Sequence, residues 1–311
     1  MTITVDHIDA NDARLTRHFT LKLPRFLKHF AMAGAGFSPA LPLLARGLGA
    51  LLWYSHFLDP VLAGGHSFGQ PPPILRDPSL KAHFSNLSGR AFADFLGREL
   101  EQALATWSYE GLLTVLAYPQ VGPRPDLVAV GPQSVTAIEA KGYARTSVSD
   151  ADMLQFKHQA AQGPIPRHRW AASVAFGLYD SVRVRYHDPA GEGRKPSRED
   201  SLKHLERYFV EINATARQLR GTTRTINGRP YVAMALTDAA RGRMPLDIAG
   251  SDTLTKVTLL IDPVRAADTL DVLRSALANA RSEQELVSPA STIDTDSMFI
   301  DTDGIGISLA S

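Results

Sequence analysis

Asp126, Glu139 and Lys141 are the residues of this chain whose types and spacing could do chemistry together. Gly131-Pro132-Gln133-Ser134 reads as a tight turn between two apolar strands, Asp126 to Val130 and Val135 to Lys141. With Pro132 and Gln133 as a two-residue hairpin loop, Asp126 falls directly opposite Glu139, with roughly 4.5–5.5 Å between Cβ atoms. Glu139 and Lys141 are two apart on one strand and share a face, while Ile138 and Ala140 take the other, toward the core. Two carboxylates and an ammonium then converge on one spot.

Two facing carboxylates repel, and one tends to stay protonated unless something offsets the charge. A divalent cation does so, and oxygen ligands on two strands suit Mg²⁺ or Mn²⁺. Such an ion can make hydroxide from water near neutral pH and neutralise charge on a phosphodiester. Lys141 could orient or deprotonate the water, or stabilise a pentacovalent transition state.

The elements that must position these residues are legible around them. Asn86 or Ser88 can cap a helix running to about Thr106, with Phe92, Phe95, Leu96, Leu100, Ala103, Leu104 and Trp107 as its apolar stripe. Leu112 to Tyr118 reads as a strand ahead of the hairpin. Ser149 or Asp150 can cap a helix through about Ala161. Trp170 to Leu178 reads as a central strand, and Val182 to His187 alternates as a half-exposed one. The expected order is helix, three strands, helix, strand, plus a hairpin partner.

Pro125-Asp126, twelve residues, then Glu139-Ala140-Lys141, set in that order of elements, resembles the signature of the PD-(D/E)XK, restriction-endonuclease-like nuclease superfamily. The resemblance covers roughly Ser88 to Leu178, about a third of the chain. It implies an α/β restriction-endonuclease-like core, Asp126 and Glu139 as metal ligands, the carbonyl of Ala140 as a further one, and Lys141 as the catalytic lysine. Many members add a glutamate from the first helix. On a helical wheel Glu99 falls inside the Phe92/Leu96/Ala103 stripe and Glu101 points the opposite way, so Glu99 is the expected third ligand and Glu101 a solvated acid. Some members carry a glutamine on the helix after the third strand. Gln155 is the candidate, with Gln159 one turn on; a surface glutamine on a polar face is the plainer alternative.

The implied activity is Mg²⁺- or Mn²⁺-dependent phosphodiester hydrolysis, as an endonuclease on DNA. The rivals are a non-catalytic nucleic-acid-binding or assembly module on the same fold, and an α/β protein whose hairpin matches by chance. A double-strand cutter would gain from dimerising, so a homodimer or partner protein is an expectation, though no interface is legible.

Outside this core, residues 1 to about 80 read as a helical, loop-rich N-terminal region, closed by Pro71-Pro72-Pro73. The core is expected over 81–190. Residues 199–311 form a C-terminal α/β extension: an amphipathic helix from Leu202 to Leu219, a hairpin turning at Asn227-Gly228, a strand from Thr253 to Ile261, a helix from Pro263 to Arg281 and a last hairpin turning at Asp303-Gly304. Asp294-Thr295-Asp296-Ser297, Asp301 and Asp303 are read as turn residues of that hairpin, because the partner motifs of a polymerase or calcium loop are missing.

The bulk composition fits this reading. The chain has 311 residues, 44% hydrophobic and 21% charged, with net charge +1, so any nucleic-acid surface must be a local patch. Arg183, Arg185 and His187, with Arg194, Lys195 and Arg198, suit phosphate contacts or equally a solvated strand face and loop; Arg167, His168 and Arg169 could add to the same surface. No cysteine is present, which excludes disulfides, thiolate zinc sites and a cysteine nucleophile. The polar N-terminus is unlike a signal peptide, and Phe30 to Leu62 lacks the roughly 20 clean apolar residues of a spanning helix. A cytoplasmic protein with no membrane partner is expected.

Overall fold

The computed structural model describes residues 1–9, 11–33, 53–62, 65–70, 77–132, 134–188, 196–218, 221–235, 257–279 and 292–309. Pro71-Pro72-Pro73, Gln133, Arg194 and Lys195 lie outside them. The described residues form a mixed α/β fold with two sheets.

The expected helical N-terminal region opens instead on a β-hairpin, β1 (Thr2–Ile8) and β2 (Arg14–Thr20). Ile3 and Val5 are fully buried and alternate with more exposed neighbours, the period of a strand. Helix α1 (Leu23–Met32) follows with Pro24 in its first turn, and α2 spans Ser55–Leu62.

Helix α3 (Pro78–Glu101) starts well before the expected caps. Pro78 opens it and the Asp77 carboxylate accepts from Ser79 N at 2.8 Å. Gln102, in the left-handed region at φ 54°, ends it. The chain then enters β3 (Ala105–Ser108), so the residues expected as the last helical turn form the strand. The expected strand Leu112–Tyr118 is a correction: α4 (Tyr109–Val115) stands there, capped by the Ser108 hydroxyl, which accepts from Gly111 N. An apolar run this short does not distinguish a buried helix from a strand.

β4 (Leu127–Val130) and β5 (Val135–Gly142) pair as the hairpin in the expected register, Leu127 with Ile138 and Val130 with Val135. Helix α5 (Asp150–Ala160) carries a reciprocal cap between Ser149 and Asp152. β6 (Arg169–Phe176) and β7 (Arg183–His187) complete a seven-stranded sheet ordered β2-β1-β7-β6-β5-β4-β3. β5–β6 and β1–β7 are parallel and the other pairs antiparallel.

Helix α3 covers one face of this sheet. A Cβ on Gly97 would sit 3.3 Å from the side chains of Ala129 and Ile138. The opposite face carries α5, whose Met153 and Phe156 pack with Ala172, Val174 and Phe176 of β6.

Beyond β7, α6 (Arg198–Gln218) packs on α7 (Pro263–Asn279). The second sheet is ordered β11-β12-β13-β10-β9-β8, with β8 Thr222–Ile226, β9 Arg229–Ala235, β10 Val257–Ile261, β11 Ile293–Asp294, β12 Met298–Ile300 and β13 Ile305–Leu309. Asn227 and Gly228 both take positive φ, 49° and 78°, as a two-residue type I′ hairpin requires. One hydrophobic cluster includes Val128 and Ile138 of the first sheet and Leu259 and Ile307 of the second.

Asp301 and Asp303 are more than turn residues. Both are buried: Lys28 reaches Asp301 at 2.5 Å and Asp303 at 3.2 Å, and Arg98 reaches them at 3.1 and 2.9 Å. Tyr208 OH donates to Asp303 at 2.8 Å, so one ionic cluster joins α1, α3, α6 and the last hairpin.

Candidate active site

The register that pairs Leu127 with Ile138 ends the β4–β5 ladder at the site. Asp126 N still donates to Ile138 O at 3.2 Å. The Asp126 side chain then takes over from the backbone, with Oδ2 accepting from Ala140 N at 3.1 Å. This anchors the carboxylate beside β5, where Lys141 Nζ lies 3.4 Å from it and is also ion-paired with Glu139. The three residues singled out in sequence therefore do meet, with the ammonium bridging both acids.

Glu139 is fully buried, and its Oε2 accepts no hydrogen bond. Burial first, and the charge of Asp126 second, push its pKa from 4.5 up to about 7, against the opposing pull of Lys141 and Arg90. Burial pulls Lys141 down, but Asp126 and Glu139 outweigh it and hold the ammonium above its ordinary value of 10.5. At neutral pH Lys141 is a cation, which can stabilise negative charge and donate hydrogen bonds but not accept a proton. The Phe156 ring lies 5.8 Å from Nζ and closes the site from the α5 side.

Arg90 is the member that sequence reasoning missed. Its Nη2 binds Asp126 Oδ1. Two glycines bring it there. A Cβ on Gly89 would lie 2.4 Å from the Lys141 carbonyl carbon, and one on Gly142 would lie 1.8 Å from Ser85 O. The backbones of α3 and β5 touch at this crossing, which places the next helix residue, Arg90, beside the end of the strand. A Gly in the first-helix stripe and a second just past Lys141 were the only signal for it.

Glu99 does not join the site. It is exposed and ion-paired with Arg25 of α1, which also reaches Asp294 at 3.4 Å. Glu101, expected to be solvated, is buried. It accepts from Tyr186 OH at 3.0 Å and Thr136 Oγ1 at 3.2 Å, and Arg169 lies 3.4 Å from both Glu101 and Asp188. The wheel failed because α3 is sandwiched. Phe92 and Phe95 meet Phe26 and His29 of α1 on one side, whereas Gly97 meets the sheet on another. A wheel with one stripe presumes one buried face, and a helix covered from two sides also buries positions outside that stripe, Glu101 among them. Thr136 lies on the α3 face with Ile138, so Glu101 and Glu139 are on opposite faces of the sheet. Burial first, then Glu101, raises the pKa of Asp188 to about 8.

Gln155 is exposed on α5, and its side chain makes no hydrogen bond among the described residues; Gln159 is half-buried. Among the described residues no group of three or more His, Cys, Asp or Glu is placed to hold a metal ion. Asp126 and Glu139 are thus two carboxylate donors without a third.

The basic stripe is largely matched by acids. Arg183 binds Asp6 at 3.1 Å, and Arg185 binds Asp150 and donates to Val148 O at 2.9 Å. Both arginines line a cleft of about 400 Å³ with Arg14, Thr16 and Ser147. Arg167 is spent on the carbonyls of Ala161, Gly163 and Ile165. Among the described residues no helix is long and apolar enough to cross a membrane. Comparison with family models, with curated proteins and with solved structures returns no match.

Proposed function

We propose that this chain is a divalent-metal-dependent nuclease of the restriction-endonuclease-like type, hydrolysing phosphodiester bonds in DNA. One observation carries the reading: fully buried Glu139 has an oxygen with no donor and sits beside Asp126, with a single ammonium bridging the two. Burying a carboxylate without full compensation is costly and makes the residue a functional-site candidate. The order α3, β3, β4, β5, α5, β6 supports the reading, with α4 inserted between the first two strands.

Oxygen donors in this pair fit a hard cation, so Mg²⁺ or Mn²⁺ would be held by Asp126 and Glu139, with the Ala140 carbonyl as the further ligand that the family resemblance implies. When bound, the ion would lower the pKa of water and neutralise phosphate charge. Lys141, charged at neutral pH, orients the attacking water and stabilises the developing negative charge. Hydrolysis forms one P–O bond from water and breaks one ester P–O bond; a water proton passes to solvent on attack and the leaving alkoxide takes one up from solvent.

A digestion panel of linear, circular and single-stranded DNA and of RNA, with Mg²⁺ or Mn²⁺, tests this. Cleavage should vanish in Asp126→Ala and Lys141→Ala while circular dichroism shows the fold retained. Unchanged cleavage in both variants would sink the assignment. A second reading, a non-catalytic nucleic-acid-binding or assembly module, draws on the charge balance of the site: Asp126 and Glu139 are matched by Arg90 and Lys141 without any ion. It predicts no calorimetric binding of millimolar Mg²⁺ or Mn²⁺.

A further inference from the structure

We infer that Arg90 is a second cationic catalytic group, which contacts the scissile phosphate once the carboxylates are occupied by a cation. The inference rests on the nuclease reading and deepens it.

Three observations support it. Arg90 Nε–H is buried and donates to nothing, although the side chain as a whole is 30% exposed. Its acid partner, Asp126, also accepts from Lys141 Nζ and Ala140 N, so the one carboxylate is shared among three donors and leaves Arg90 Nε unmatched. Glu139, close by, has the opposite deficit, an acceptor oxygen without a donor. A ligand that supplies a cation to the carboxylates and an anion to the guanidinium relieves both deficits at once. A phosphodiester accompanied by a divalent cation has that composition, and guanidinium matches two phosphate oxygens with parallel N–H groups.

Charge arithmetic points the same way. With Glu139 ionised, Asp126, Glu139, Lys141 and Arg90 sum to zero. One divalent ion brings the site to +2, which the dianionic pentacovalent phosphorane balances and the monoanionic ground state does not. Without Arg90 the loaded site would carry +1 and would match the ground state better than the transition state.

Arg90→Ala, Arg90→Lys and the wild-type protein are compared in three measurements. Calorimetry with Mn²⁺ alone should give an affinity within about threefold of wild type or tighter, because a competing cation has gone. Binding of a short fluorescein-labelled oligonucleotide in Ca²⁺ should weaken by about tenfold in Arg90→Ala, the loss of one charged phosphate contact. Cleavage at saturating Mn²⁺ should fall by about 10²–10³-fold, the range for removal of one transition-state donor. Added guanidinium should restore part of it, and Arg90→Lys should recover only part. If Arg90 merely positions Asp126, Mn²⁺ affinity falls instead and cleavage recovers at saturation; that result, or full activity in Arg90→Ala, overturns this inference and leaves the nuclease reading intact. A wild-type protein that neither binds Mn²⁺ nor cleaves any substrate of the panel overturns both.

Discussion

Glu139→Gln is the substitution whose consequence can be worked furthest from the structure. The buried carboxyl titrates near 7 in the folded protein against 4.5 when solvated. Between those values the folded state binds more protons than the unfolded one, so stability falls as pH rises from 4.5 through 7 and is level above. The full shift corresponds to ~3 kcal/mol at 1.36 kcal/mol per unit. Taken as an upper bound, this sets an expectation of ~1–3 kcal/mol. Glutamine does not titrate and is nearly isosteric with the protonated acid. In EDTA, urea unfolding should therefore find the variant about equal to wild type near about pH 4.5, and more stable by ~1–3 kcal/mol above about pH 8. Asp188 also titrates in this range, but in both proteins alike, so the difference between them isolates Glu139. Mn²⁺ at 100 times its dissociation constant should then stabilise wild type by about 2.7 kcal/mol and the variant far less. A gap that is the same at both pH values, or a variant less stable at high pH, refutes the reasoning.

Glu99→Ala and Gln155→Ala should leave cleavage within about twofold of wild type, since neither side chain reaches the site; a loss of about 10²-fold in either would restore the family's ligand set. Lys28→Met leaves Asp301 and Asp303 buried with less positive charge, and should cost about 3–5 kcal/mol in urea unfolding. Gly89→Ala forces α3 away from the Lys141 backbone and should cost about 1–3 kcal/mol, with Mn²⁺ affinity reduced as well; a neutral outcome would mean that the crossing yields without strain.

Sequence alone determined the parts of this protein that are local. The β4–β5 register follows from a short turn between two apolar strands, and it put Asp126 and Glu139 together before any tertiary contact was considered. The Asn227-Gly228 turn and the caps of α5 are local in the same sense: a left-handed pair and a reciprocal side-chain cap need only neighbours in the chain. Tertiary structure decided everything that depends on which surface faces which. The apolar stripe of α3 reads as one face, yet the helix is buried from two sides, so Glu99 meets Arg25 and Glu101 is buried against the α3 face of the sheet, opposite Glu139. Leu112 to Val115 is apolar enough for either a strand or a helix, and the Ser108 cap together with packing made it a helix. Arg90 enters the site only because Gly89 and Gly142 allow two backbones to touch, and that closeness is a property of the pair of elements rather than of either one. The acid pair and its lysine were legible because neighbours on a hairpin are fixed by bonding; the cation that completes the site was not, because its partner lies 36 residues away in sequence.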